Sequence, residues 1–209
     1  MIRLIYGLRR RKHVRAEDFN EHWIGYHAEV FGQPIRSIRR YVLYERVPDL
    51  PTLESLGQFE SYDGLASIWV DSIERLRILM DEAMPAASAD EALFIDHARS
   101  AAHVVSDSVV IEPEHPAPIV LIRALVRRHD IDRSRFLTRW EDMANSVKQD
   151  LQDGALQGYV QSLVEEPEGA TRTFDDLGRL DLQVDGFDSF YFQSVVIAQA
   201  FLEAHDEFF

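Results

Sequence analysis

Residues 2–23, IRLIYGLRRRKHVRAEDFNEHW, return as residues 119–140, IVLIRALVRRHDIDRSRFLTRW. The register holds without a gap. Ile2 meets Ile119, Leu4 meets Leu121, Phe19 meets Phe136 and Trp23 meets Trp140, all 117 positions apart. Farther along, residues 63–76, DGLASIWVDSIERL, return as residues 185–198, DGFDSFYFQSVVIA, 122 positions on. A period this long marks duplicated domains, because solenoid units run to about 20–50 residues.

Each copy reads as an alternation of strands and helices. Residues 2–8 are apolar and end at the basic run Arg9, Arg10, Arg11, Lys12, as a buried strand reaching the surface would. From Ala16 to Phe31 the period changes: Phe19, Trp23, His27 and Val30 recur at helical spacing, and Gly32 and Pro34 close the helix. Residues 38–46 alternate like a strand, and residues 65–71 follow the Asp63-Gly64 turn as another. Ser72 is the expected N-cap of a second helix with Ile73, Leu76, Leu79 and Met80 on its apolar face, and residues 102–112 supply the last strand. This order is the ferredoxin-like split unit. The second copy predicts strand 119–126, helix 133–150, strand 157–164, strand 186–192 and helix 194–206, with no evident fourth strand.

The expected class is therefore α+β: two ferredoxin-like units in tandem, 1–112 and 119–209, joined by a proline-rich linker at 113–118. A sheet covered by helices on one face needs a partner for the other, so the two sheets are expected to pack face to face as an intramolecular α/β barrel, an internal pseudo-dimer. The open sheet edge makes a homodimer a further expectation. The long connections 47–62 and 165–184 read as functional or mobile loops. A net charge of −14 argues against a nucleic-acid partner. The sequence shows neither a membrane-spanning run nor a secretory signal, which gives a soluble, cytoplasmic expectation. Without cysteine, thiolate chemistry and disulfides are excluded.

The succession FNEHWIGYHAEV, RRYV, YDGLASIWVDSIERL, DE and FID in the first copy resembles the EthD-like family of dimeric α/β-barrel proteins. Phe19, His22, Trp23, His27, Arg40, Tyr41, Asp63, Gly64, Asp90, Glu91, Phe94 and Asp96 carry the resemblance. The second copy keeps Phe136 and Trp140 but has Arg139 and Ala144 where His22 and His27 stand, which leaves one site per chain. Such barrels include cofactor-free polyketide cyclases and quinone-forming oxygenases, haem-degrading enzymes and proteins of unassigned role. The resemblance thus implies a protein that binds a hydrophobic small molecule, with three readings open. One is a cofactor-free acid/base enzyme acting on a hydrophobic, cyclic or aromatic catabolic or polyketide-like intermediate; the others are a non-catalytic ligand-binding or interaction protein and a haem-handling monooxygenase.

His27 is the leading catalytic candidate, because an imidazole on the face turned toward the sheet suits proton transfer near neutral pH. Tyr41, a second catalytic candidate, and Tyr6 are placed to position a substrate carbonyl or phenol. Tyr6, Trp23 and Trp69 are candidate walls of a substrate cavity. His22 and His27, five residues apart, fall about 140° apart on a helix of 3.6 residues per turn, so they are not expected to converge on a metal. No metal and no cofactor are expected.

Overall fold

The computed structural model describes residues 1–32, 37–47, 62–114, 117–150, 156–165 and 184–204. It divides into two compact units, one built on Met1–Val105 and the other on Ser106–Val164 with the segment from 184 onward. In the first unit, strand β1 (Ile2–Leu8) is followed by helix α1 (Ala16–Asn20), a π-helix (Glu21–Gly32), β2 (Ile38–Glu45), β3 (Gly64–Val70), helix α2 (Ile73–Phe94) and β4 (Ala101–Ile111). The strands run antiparallel in the order β2-β3-β1-β4, with β1 held by β3 and by residues 101–105 of β4. This is the ferredoxin-like arrangement that the element order predicts.

Strand alternation sorts the side chains of this sheet. Leu4, Tyr6, Leu8 and Ala66 join Phe19, Trp23, Leu76, Leu79 and Phe94 from the helices in one buried core. Arg3, Ser67 and Trp69 alternate with them; Arg3 donates to Ser67 Oγ from Nε at 3.0 Å and from Nη2 at 2.9 Å. Ser72 caps α2 by accepting from the Arg75 amide at 3.3 Å, as its sequence position predicts.

The second unit contains β5 (Ile119–Leu125), α3 (Arg133–Asp150), β6 (Gly158–Val164), β7 (Gly186–Phe192) and α4 (Val195–Ala204). Its strand order is β4-β6-β7-β5, the β4 portion being Ser106–Ile111. The boundary between units thus falls inside β4, at Val105 and Ser106, and not at the prolines of 113–118. The physical reason is that β4 is long enough to add a strand beside β6, where Ser162 Oγ donates to Asp107 Oδ1 at 2.7 Å. A ferredoxin-like fourth strand would lie on the other side, next to β5, and none does so among the described residues. The connections 48–61 and 166–183 fall outside those residues, as do 115 and 116 of the linker. No described helix is long and apolar enough to cross a membrane.

The two units share one packing device. A Cβ added to Gly64 would stand 2.3 Å from Trp23 Cζ3, and one added to Gly186 would stand 2.3 Å from Trp140 Cη2. Each tryptophan ring occupies the space that only glycine leaves open. Phe19 packs tilted against Trp23 with ring centres 5.4 Å apart, and Phe136 against Trp140 at 5.5 Å. The residue before each glycine is a clamp: Asp63 accepts from the Arg10 amide at 3.0 Å, and Asp185 accepts from the Arg127 amide at 2.8 Å. Arg10 of the basic run is therefore a structural partner of the Asp-Gly turn.

The interiors beneath these rings differ. In the second unit Arg123 stands for Tyr6, Asp188 for Ala66 and, by strand register, Tyr159 for Tyr41. Asp188 is fully buried and accepts from Trp140 Nε1 at 2.8 Å, the Tyr159 hydroxyl at 2.7 Å and Arg123 Nε at 2.6 Å. Gln161 donates to the Tyr159 oxygen at 3.0 Å and to the Trp140 carbonyl at 2.9 Å. This network of hydrogen bonds lies in the second unit's interior.

Two stability outcomes follow from these contacts. Gly64→Ala forces the Trp23 ring to move and is expected to cost about 1–3 kcal/mol in denaturant unfolding. Asp188→Ala leaves the buried Trp140 and Tyr159 donors without their acceptor and is expected to cost about 2–6 kcal/mol in the same measurement, at about 1–3 kcal/mol for each, well above the effect of a surface Asp→Ala control.

Candidate functional site

Helix α2 has one charged residue on its buried stripe. Leu76, Met80, Ala87 and Phe94 recur at intervals of four and seven, and Glu91 occupies the stripe between the last two. It is 5% exposed. Asp90, its neighbour, faces the π-helix. There the His27 Nδ1–H donates to Asp90 Oδ2 at 2.8 Å, while His22 Nε2 lies 3.1 Å from both Asp90 oxygens.

The π-helix makes this convergence. Its hydrogen bonds run from i to i+5, so residues five apart come to nearly the same face. His22 and His27 therefore meet on one carboxylate, which corrects the expectation, drawn from 3.6 residues per turn, that they diverge. The same wider turn buries His27 and Ala28 and leaves Val30 43% exposed, although α-helical spacing puts Val30 on the buried face.

On its other side His27 Nε2 lies 3.6 Å from Glu91 Oε1, and Glu91 Oε2 lies 3.5 Å from His97 Nε2. Imidazoles and carboxylates thus alternate in the order His22, Asp90, His27, Glu91, His97. Burial pulls the His27 imidazole below its usual pKa, against the opposing pull of its bond to Asp90. A neutral imidazole with its proton on Nδ1 leaves the Nε2 lone pair turned toward Glu91. Burial, reinforced by the Asp90 charge, pushes the Glu91 carboxyl up to about 8. At neutral pH this group is mostly a neutral acid. Burial and the nearby Glu91 also raise Tyr6 and Tyr41 well above the usual phenol range, so both keep their protons.

A cavity of about 60 Å³ opens beside these groups. Its polar wall is His27, Glu91, Tyr6 and Tyr41; the remainder, including Trp23, Phe31, Met80 and Met84, is apolar or aromatic. The structure thus brings His27, Tyr41, Tyr6 and Trp23 together. It does not bring Trp69, which does not line this cavity, because β3 alternation turns Ile68 toward the cavity and Trp69 to the opposite face. There the Trp69 ring lies between the Arg3 and Arg40 guanidinium groups, each 4.7 Å from its centre. Trp23, packed on Gly64, is a wall of the cavity and a core anchor at once.

Sequence reasoning named Asp90 and Glu91 only as points of family resemblance. A glutamate on an otherwise apolar helical stripe is the signal that finds Glu91. Among the described residues no group of three or more histidines and carboxylates is arranged to hold a metal. Haem does not fit either: about 60 Å³ is far less than a porphyrin occupies, and His27 Nε2 faces a carboxyl group.

A ferredoxin-like unit with a buried imidazole–carboxylate cluster beside an apolar cavity is the class this geometry defines. Residues 11–98, within the first unit, match the EthD domain. No protein of curated function matches the chain. Among solved structures, a candidate monooxygenase from Lactobacillus acidophilus matches with a TM-score of 0.52 at 9% identity, covering 96% of this chain and 80% of its own. A candidate monooxygenase from Fusobacterium nucleatum matches with a TM-score of 0.51 at 7% identity, covering 98% and 81%. At these identities the likeness is one of fold. A dimeric ferredoxin-like protein of unknown function from Thermobifida fusca covers 49% of this chain and 87% of its own, at 20% identity and a TM-score of 0.40.

The shifts at Glu91 and His27 have opposite consequences for stability. Glu91 holds its proton more tightly in the fold, so stability falls as pH rises from the reference value of 4.5 through about 8. His27 holds its proton less tightly, so stability also falls as pH drops below its reference value of 6.5. Glu91→Gln removes the first slope. Its melting temperature is expected to climb relative to the wild type between pH 5 and 9, by about 5 °C or more at the upper end, in scanning calorimetry.

Proposed function

We propose that the first unit is a cofactor-free acid/base site for a small hydrophobic molecule, with His27 moving a proton at Nε2. The observation that carries this reading is the pairing of His27 with Asp90 on the wall of an apolar cavity. Asp90 fixes the ring and holds the proton on Nδ1, leaving Nε2 as the base. Tyr6 and Tyr41, both protonated, orient a polar group of the substrate, and the apolar wall excludes water. The size of the cavity favours entry of the reactive end of a cyclic or aromatic compound. A cavity of about 150 Å³ is one that takes a whole benzene ring, so a larger part of the compound must displace the wall. Met80 and Met84 line that wall, and methionine repacks readily.

The second unit has no site of its own in this proposal. The His22 and His27 positions are Arg139 and Ala144 there, and Asp188 with its donors stands in the interior.

A ligand-observed NMR screen of small cyclic and aromatic compounds, followed by product analysis, tests the proposal. Binders are expected to be converted, and His27→Ala is expected to lower the rate constant about 100-fold or more. Asp90→Asn is expected to lower it without weakening binding, since it disturbs only the ring's tautomer and orientation. Conversion that survives His27→Ala, or a screen without a converted compound, refutes the enzymatic reading.

A further inference from the structure

Glu91 turns one carboxyl oxygen to each of two histidines. Oε1 lies 3.6 Å from His27 Nε2, and Oε2 lies 3.5 Å from His97 Nε2. The chain arranges this by ending α2 just past the glutamate: the Ile95 amide closes the last turn on the Glu91 carbonyl at 2.7 Å, and a short helical turn (His97–Arg99) follows. That turn is tied to the chain leaving β1. The Asp96 amide donates to the Arg9 carbonyl at 2.7 Å, while Ser100 Oγ accepts from the Arg9 amide and donates to the Asp96 carbonyl, both at 2.9 Å. His97 is thereby held against the Glu91 oxygen that does not face His27.

Exposure changes along this line. The side chains of His27 and Glu91 are 7% and 6% exposed, whereas that of His97 is 25% exposed although its Nε2 is buried. The His97 ring therefore reaches from the interior to the surface. His27 borders an apolar cavity that a bound compound closes, so a proton gained at Nε2 needs another way out. Its second nitrogen is committed, since Nδ1 donates to Asp90 at 2.8 Å. We infer that Glu91 and His97 form a proton relay between His27 Nε2 and solvent, with Glu91 as the carrier and His97 as the exchanger at the surface. This rests on the acid/base reading of His27 and adds how that base is reset.

The relay balances as proton transfers alone. The Glu91 Oε2–H bond breaks and its proton bonds to His97 Nε2; His97 passes the proton on its other nitrogen to water; the carboxylate then takes the proton from His27 at Oε1 as the Nε2–H bond breaks. Half-turns of the carboxyl and of the His97 ring restore the starting arrangement. Burial keeps Glu91 mostly protonated at neutral pH, the form in which the sequence begins. Both gaps exceed a normal hydrogen bond by a few tenths of an ångström, and a small turn of the Glu91 side chain closes one at a time.

The test needs no substrate. In the full chain labelled with carbon-13 at histidine Cε1, relaxation dispersion reads microsecond-to-millisecond exchange and, at the midpoint of the His27 titration, gives the rate at which this ring gains and loses its proton. Each variant is measured at its own midpoint and extrapolated to zero buffer, with circular dichroism and melting temperature establishing that it folds. His97→Ala is expected to slow the exchange about tenfold, and so is Glu91→Gln, whose amide cannot pass a proton on. Imidazole added to His97→Ala is expected to restore most of the rate, and added to Glu91→Gln to leave it slow. If His97→Ala does not fold, His97→Gln replaces it with the same loss expected. Exchange as fast as in the wild type in either the His97 or the Glu91 variant overturns the relay. So does slowing in His97→Ala that imidazole does not relieve, which makes His97 a structural support. A failed relay leaves the acid/base reading of His27 standing, because the conversion assay alone judges it.

Discussion

The seating of a tryptophan ring on a glycine is the constraint on which each unit depends. Trp23 over Gly64, and Trp140 over Gly186, set how far the first helix stands from the sheet, because any side chain at the glycine would collide with the ring. The aspartate before the glycine binds the chain at the end of the first strand, through Arg10 in one unit and Arg127 in the other. Turn, strand end and helix are thereby fixed together. What lies farther along the helix is free to differ, and it does.

In the first unit that freedom is used by the π-helix. A helix of normal pitch starting from Trp23 directs only some of its next residues inward, and His22 and His27 lie on different faces. The wider turn sends both to Asp90, and His27 continues the line to Glu91. The result is a polar cluster inside an apolar core. Such a cluster is costly unless its members share protons, and two of them have their affinity for a proton shifted in opposite directions: the imidazole is made a poorer holder and the carboxyl a better one. Opposite shifts in adjacent groups are how one site holds both a base and an acid at the same pH.

Much of the fold was legible from the repeat. The strand boundaries, the Ser72 cap and the Asp-Gly turns follow from local pattern, and the pairing of Phe19 with Trp23 follows from spacing. The π-helix was not legible, because residues 21–32 carry the same apolar rhythm that an α-helix would. That single difference misplaced Val30 and hid the meeting of the two histidines. Trp69 was misread for another reason: in β3 it is one residue from Ile68, and one residue decides the face. Composition placed it near a cavity, whereas alternation placed it between Arg3 and Arg40. The boundary inside β4 escaped prediction because prolines signal where a chain turns and say nothing about which sheet a long strand serves.

The charge pair beneath Trp140 also bears on how the two copies can change over time. Opening a chamber in the second interior requires losing both Arg123 and Asp188. Asp188 is fully buried and Arg123 half-buried, so removing the arginine alone leaves a carboxylate in the interior with Trp140 and Tyr159 as its donors, in a chain whose whole margin of stability is of the order of 5–15 kcal/mol. The two positions are therefore coupled: what is tolerated at one depends on what stands at the other.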